Sequence, residues 1–186
     1  MSARIEGLEK ALRLAPFKDV VFSWEHRRPI RDEHGNIVDP GPILAAGIHA
    51  LDLVPNAGLS WISSQMAGTT SGKSAVCAVG TGTATPTMGD VTLVGEITGS
   101  GLTRTTGSTS GVGALAGLPS GGMTTQGTGS FYVWYTWTAS GTVTVNEAGV
   151  SPDISYNAGI IARDILSPAA SMAAGDTLKC EWNFVL

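Results

Sequence analysis

From Leu178 to Leu186 apolar side chains stand at every even position, while Lys179, Glu181 and Asn183 take three of the four odd ones. Successive side chains of a strand point to opposite faces. The pattern therefore predicts a half-buried β-strand with Leu178, Cys180, Trp182, Phe184 and Leu186 against a core, and with Lys179, Glu181 and Asn183 outside. The sequence thus ends inside a sheet. Upstream, from Ser74 onward, short β-branched runs (75–79, 131–138, 142–145 and 160–162) alternate with Gly, Ser, Thr and Pro. That texture predicts a mainly β fold, a β-sandwich or jelly-roll-like module.

A chain of 186 residues is long enough for one well-buried core. Only 14% of residues are charged, 25 are Gly and the mean hydropathy is positive, which excludes the highly charged disordered class and favours loop-rich β structure. The net charge is −4, and seven of the eleven basic residues precede residue 50. A nucleic-acid binder concentrates Lys and Arg to neutralise phosphates, so the balance argues against one. Two cysteines, Cys77 and Cys180, are too few for a disulfide scaffold, and each sits in an apolar run, so buried free thiols are expected. The segment Met1 to Glu6 has no apolar signal region, and no run approaches a membrane span, so a soluble protein made in a cytoplasm is expected.

The first 55 residues read differently from the rest. Ile5, Leu8 and Leu12 fall at helical spacing over residues 2–14, and Pro16 ends the pattern. From Val20 to Pro42 the chain reads as strand, turn and extended arm: Val20, Phe22 and Trp24 alternate with Val21, Ser23 and Glu25, and His34-Gly35-Asn36 signals a turn. Pro29, Pro40 and Pro42 argue against a central place in a sheet, so Phe17, Phe22, Trp24 and Ile30 are expected to bind a partner. A second helix opens at Pro55-Asn56, with Asn56 as cap and Leu59, Ile62 and Met66 on one face, ending near Gly68. The expected organisation is a helix and docking arm over 1–55 and a β-module over 56–186. Within that module, residues 99–130, rich in Gly, Ser and Thr, form a long loop.

Ala67-Gly68-Thr69-Thr70-Ser71-Gly72-Lys73-Ser74 matches a relaxed P-loop, but a P-loop needs a strand before it and a helix after it, and here the order is reversed. A Gly-rich turn with a solvated Lys73 is expected instead. Gly80-Thr81-Gly82-Thr83-Ala84-Thr85 begins like a dinucleotide fingerprint, yet it lacks the third Gly and runs into Pro86, so it reads as a β-turn. His26, His34 and His49 with Asp32, Glu33 and Asp39 lack the tight spacing of zinc ligands. No Ser lies in a nucleophile elbow, and the Asp32-Glu33 pair falls in a turn. Asp90 and Glu96 read as caps of the loop they flank. No catalytic, cofactor-binding or metal-binding residue is expected, and hence no enzyme.

One ordered series carries a resemblance. Residues 56 onward read Asn-Ala-Gly-Leu-Ser-Trp-Ile, then Ala78-Val79-Gly80-Thr81-Gly82-Thr83, Pro86, Gly89-Asp90, Leu93, Gly95-Glu96-Ile97 and Arg104. There follow Gly141 to Val150 with Glu147-Ala148-Gly149, then Ile161-Ala162-Arg163, Ser167-Pro168 and Ala173-Ala174-Gly175-Asp176-Thr177-Leu178. In this order they resemble a widespread group of tailed-bacteriophage virion proteins, assigned variously to tail, fibre, neck or head, over about two-thirds of the chain.

The resemblance implies a non-enzymatic virion structural protein, assembled in the host bacterial cytoplasm. The leading expectation is a capsid-bound decoration or cement protein that docks by its arm on the major capsid protein and self-associates. A neck, tail or fibre adaptor is the alternative, with neck or tail proteins as partners; neither reading involves nucleic acid or membrane. A third expectation is a receptor- or glycan-binding β-sandwich. On the strand from Phe131 to Trp137, the residues Phe131, Val133, Tyr135 and Trp137 share a core face, which leaves Tyr132 and Trp134 as exposed stacking surfaces.

Overall fold

The computed structural model describes residues 19–50, 54–60, 76–111, 130–154 and 159–185. The expected helix over 2–14, most of the second helix and the P-loop-like segment lie outside them. Of the second helix, residues 56–60 are helical, and Leu59 N–H donates to Pro55 O at 3.0 Å.

The described chain is built on antiparallel β-sheets. Its strands are β1 (Asp19–Arg27), β2 (Ile30–Arg31), β3 (Ile37–Asp39), β4 (Ile43–Ala50), β5 (Val76–Gly80), β6 (Thr105–Thr106), β7 (Ser108–Gly111), β8 (Ser130–Thr138), β9 (Val143–Ser151), β10 (Ala162–Met172) and β11 (Thr177–Val185). They form a larger sheet in the order β4-β1-β11-β8-β7, a smaller one in the order β10-β9-β5-β6, and the separate pair β2-β3. The two sheets share one core, as expected of a sandwich.

The closing strand β11 lies in the middle of the larger sheet, with Trp182 between Phe22 of β1 and Val133 of β8. Leu178, Cys180, Trp182 and Phe184 are buried as the alternation requires, and Phe22 stacks on Trp182 with ring centroids 4.3 Å apart. Facing them from the smaller sheet are Cys77, Val79, Val145, Ala148, Val150 and Met172. Both cysteines are free and buried, and burial pushes the Cys77 thiol up to about 12. The other face of β11 departs from the expectation, because Glu181 and Asn183 are also buried.

The structure corrects three expectations. Phe22 and Trp24 are not free for a partner: β1 is an interior strand between β4 and β11, and both rings sit in the shared core. The prolines misled here because Pro29, Pro40 and Pro42 all fall beyond Arg27, where β1 has ended. In place of an extended arm, residues 19–50 supply two strands of the larger sheet and a hairpin, β2-β3, that stands off it. Residues 99–130 are not wholly an excursion either. Thr105–Thr106 pair with β5 and Ser108–Gly111 with β8.

β10 was the least legible strand, because Ser167-Pro168 interrupts it. The interruption is absorbed by a register shift against β9 between Ile165 and Ala170. A chain starting at Asn56 would lack both β1 and β4 and would uncover Trp182, so it is expected to be unfolded by circular dichroism. A folded spectrum for it would show that the larger sheet does not need its first strands.

Candidate functional site

Two constructions stand out, one on each sheet. The first is a loop, residues 81–104, fastened over the outer face of the smaller sheet by buried charge. Glu147 of β9 is fully buried; its Oε1 accepts from the N–H groups of Gly82 (3.1 Å) and Gly95 (2.7 Å), and its Oε2 from Val94 N–H (3.2 Å). Arg163 of β10, also fully buried, donates from Nε to Glu147 Oε2 at 2.8 Å. Its other nitrogens reach Asp90 Oδ2 at 2.7 Å and the Ala84 carbonyl at 2.8 Å. One acid and one base thus tie five residues of a single loop to adjacent strands. A Cβ at Gly82 would collide with the Glu147 carboxylate, so glycine is required for the backbone to come this close.

Asp90 caps its own turn, accepting from Thr87 N–H (3.0 Å) and Thr87 Oγ1 (2.7 Å), as the sequence suggested. Burial pushes its carboxyl up, but the Thr87 hydrogen bonds and Arg163 outweigh this and hold it below the usual range. A second clasp closes the end of the loop. Arg104 grips Glu96 through two hydrogen bonds of 2.8 and 2.7 Å and reaches Ser151 Oγ and the Asp153 carbonyl. Gly80-Thr81-Gly82 is therefore the start of this fastened loop rather than an isolated turn.

The second construction is the projecting hairpin. Ile30, Ile37 and Val38 on it are 53%, 51% and 62% exposed, and every residue of β2 and β3 is exposed. Its turn follows the sequence signal: Asp32 accepts from the N–H groups of His34 and Asn36. Its stem is locked by Asp176, at the turn between β10 and β11. That carboxylate accepts two hydrogen bonds from Arg28 (2.8 and 3.0 Å), one from Ala173 N–H (2.9 Å), and lies 3.0 Å from His26 Nε2. Arg27 Nη1 donates to Gly41 O at 2.8 Å across the neck. Gly41 has φ +72°, and a Cβ there would strike the Arg28 carbonyl, so the neck closes only around glycine.

The Arg28 guanidinium, with Ala173 N–H and His26, holds the Asp176 carboxyl well below the usual carboxylate range against the opposing effect of burial. Its folded value lies below its unfolded one, so this stabilisation is complete above about pH 4 and fades as pH falls. The melting temperature should therefore drop progressively as pH falls below about 4, and Asp176→Asn should flatten that drop while lowering stability at neutral pH. An unchanged acid limb in the variant would place the pH dependence elsewhere.

Of the residues singled out in the sequence, Ile30 projects from the hairpin, Phe22 and Trp24 are core, and Phe17 lies outside the described residues. Trp134 is half-buried with Lys179 Nζ 5.5 Å from its ring centroid, so that ring face is occupied; the Tyr132 side chain lies outside the described residues. The three histidines go to separate acids: His26 to Asp176, His34 to Glu33, and His49 to Asp164. Among the described residues no group of three or more His, Cys, Asp or Glu is placed to hold a metal ion, and no helix is long and apolar enough to cross a membrane.

Sequence reading missed the Glu147-Arg163-Asp90 and Asp176-His26-Arg28 clusters, since each joins residues far apart in the chain. The available signal was an acid followed by Ala-Gly, and an Arg after Ile-Ala, both inside strands. Comparison with protein-family models, with curated proteins and with solved structures found no match.

Proposed function

We propose that this protein is a non-enzymatic structural component of a tailed-bacteriophage virion, a capsid-bound decoration or cement protein that docks by its β2-β3 hairpin and self-associates. The observation that carries the reading is the hairpin itself. A two-stranded ribbon with Ile30, Ile37 and Val38 in water has little stability of its own, yet its stem is fastened by Asp176, Arg27 and Arg28. A rigidly held apolar projection is suited to insertion against another protein, here the major capsid protein. This hairpin takes over the docking role that the sequence assigned to an extended arm, and among the described residues of that set Ile30 is the one that serves it.

The resemblance gains support from where its residues fall. Gly80, Gly82, Asp90, Gly95, Glu96, Arg104, Glu147 and Arg163, scattered through the matched series, meet in the two clasps of the 81–104 loop. A series that encodes one spatial network reads as a record of one fold. We also read the module as jelly-roll-like, on the pairing of first strand with last in the larger sheet.

A neck, tail or fibre adaptor using the same hairpin is the second reading, favoured by the same projection. The test is to add purified protein to particles that lack it, comparing wild type with Ile37→Asp/Val38→Asp, and to count copies per particle. Binding in many symmetric copies that the double variant loses is expected. A few copies per particle would move the reading to the adaptor, and undiminished binding by the variant would remove the hairpin from docking.

A further inference from the structure

We propose that the outer edge of β4 is the contact between two copies of this chain, paired antiparallel about a two-fold axis so that their larger sheets join. The inference names the surface for the self-association in the reading above and does not depend on the virion assignment.

β4 is the end strand of the larger sheet. One edge pairs with β1, and among the described residues no strand pairs with the other. Its contacts with the smaller sheet are made from inward-facing positions: Gly47 beside the Ser167 carbonyl, and His49 on Asp164. No residue from Ile43 to His49 is buried, and Ile43, Leu44 and Ile48 are 46%, 46% and 41% exposed.

A bare strand edge offers a row of unpaired N–H and C=O groups to any other strand. Natural edges are usually blunted by Lys, by Pro, by an inward-pointing free charge or by shortness. β4 has none of these: it runs for eight residues, contains no Lys, Arg, Asp, Glu or Pro, and its single ionisable side chain, His49, is engaged by Asp164.

The same features choose the occupant. Antiparallel pairing about a two-fold axis requires only that a strand match itself, and an uncharged strand meets its copy without like-charge repulsion. A strongly acidic or basic partner would find no countercharge on it. Eight paired residues with three exposed aliphatic side chains make a small contact beside the about 800 Å² per copy of a standard stable interface. The dimer is therefore weak and reversible in dilute solution and becomes dominant where copies are held close together.

The test is sedimentation equilibrium of the full chain over a range of concentrations. Wild type should show a monomer–dimer equilibrium. Ile48→Lys, on the outer face of β4, should weaken it by about tenfold or more, equivalent to about 1.4 kcal/mol. Val91→Lys, at an exposed site on the 81–104 loop outside the Glu147 clasp, should leave it unchanged.

Amide exchange of the unmodified chain adds a readout that no variant can disturb: protection should rise with concentration over residues 43–50. A monomer at every concentration would overturn self-association itself. A dimer indifferent to Ile48→Lys, or one whose protection rises elsewhere, would overturn this surface alone. Particle binding, measured separately, would be untouched by either result.

Discussion

Replacing Arg163 by Ala should destabilise the protein by about 3–5 kcal/mol, the usual cost of breaking a buried ion pair from one side. For a domain of this size that is a fall in melting temperature of about 10 °C. The loss is large because Glu147 would be left without its counter-ion at a fully buried site, while Asp90 and the Ala84 carbonyl would lose the Arg163 donor. Replacing both partners by apolar residues often restores stability when a buried pair stands alone. That rescue should fail here: Glu147→Leu/Arg163→Met would strand the N–H groups of Gly82, Val94 and Gly95 that the carboxylate now satisfies. Thermal melts of the single and double variants check this. A double variant as stable as wild type would mean the loop does not depend on Glu147.

Truncating Trp182 to Ala should cost a similar amount, about 3–5 kcal/mol, through the cavity left between Phe22, Val133 and the smaller sheet. The indole N–H of Trp182 is buried without a hydrogen-bond partner among the described residues, so Trp182→Phe forfeits packing but no hydrogen bond and should cost far less. Asn183, next in the chain, points to the opposite face and has an unpartnered buried Oδ1. Asn183→Ala should therefore shift the melt little, or upward. Comparable losses at Trp182 and Asn183 would contradict the placing of the shared core on the Trp182 face of β11.

The contrast between these neighbours shows which parts of the structure could be read in advance. Alternation is a local signal, and it placed Leu178 to Phe184 of β11 and Val133 and Trp137 of β8 against the core. The same alternation was visible in Val20, Phe22 and Trp24, but neighbouring strands decide whether such a strand lies inside a sheet or on its margin. The prolines beyond Arg27 pointed the wrong way. The burial of Glu181 and Asn183 had no local mark, because it depends on what covers the outer face. The Glu147 clasp was illegible for a related reason: its members are brought together by strand pairing, and its local marks were Glu147 and Arg163 standing inside strands and the close-spaced glycines that let a backbone pass near them.

The stem of the hairpin decides how the molecule would bear a pull. Force applied at Ile37 or Val38 reaches the larger sheet at Ile43 of β4 and at Arg27 of β1, and β1 is registered against β11 from Arg27 opposite Thr177 to Asp19 opposite Val185. A tug along the strand therefore loads the ladder in shear, with its hydrogen bonds sharing the strain, instead of peeling them open one at a time from an end. Asp176 reinforces this, since it binds the root of the hairpin to the turn that leads into β11. A tether fastened at its tip would sooner be pulled off whatever holds it than unravel the sheet behind it.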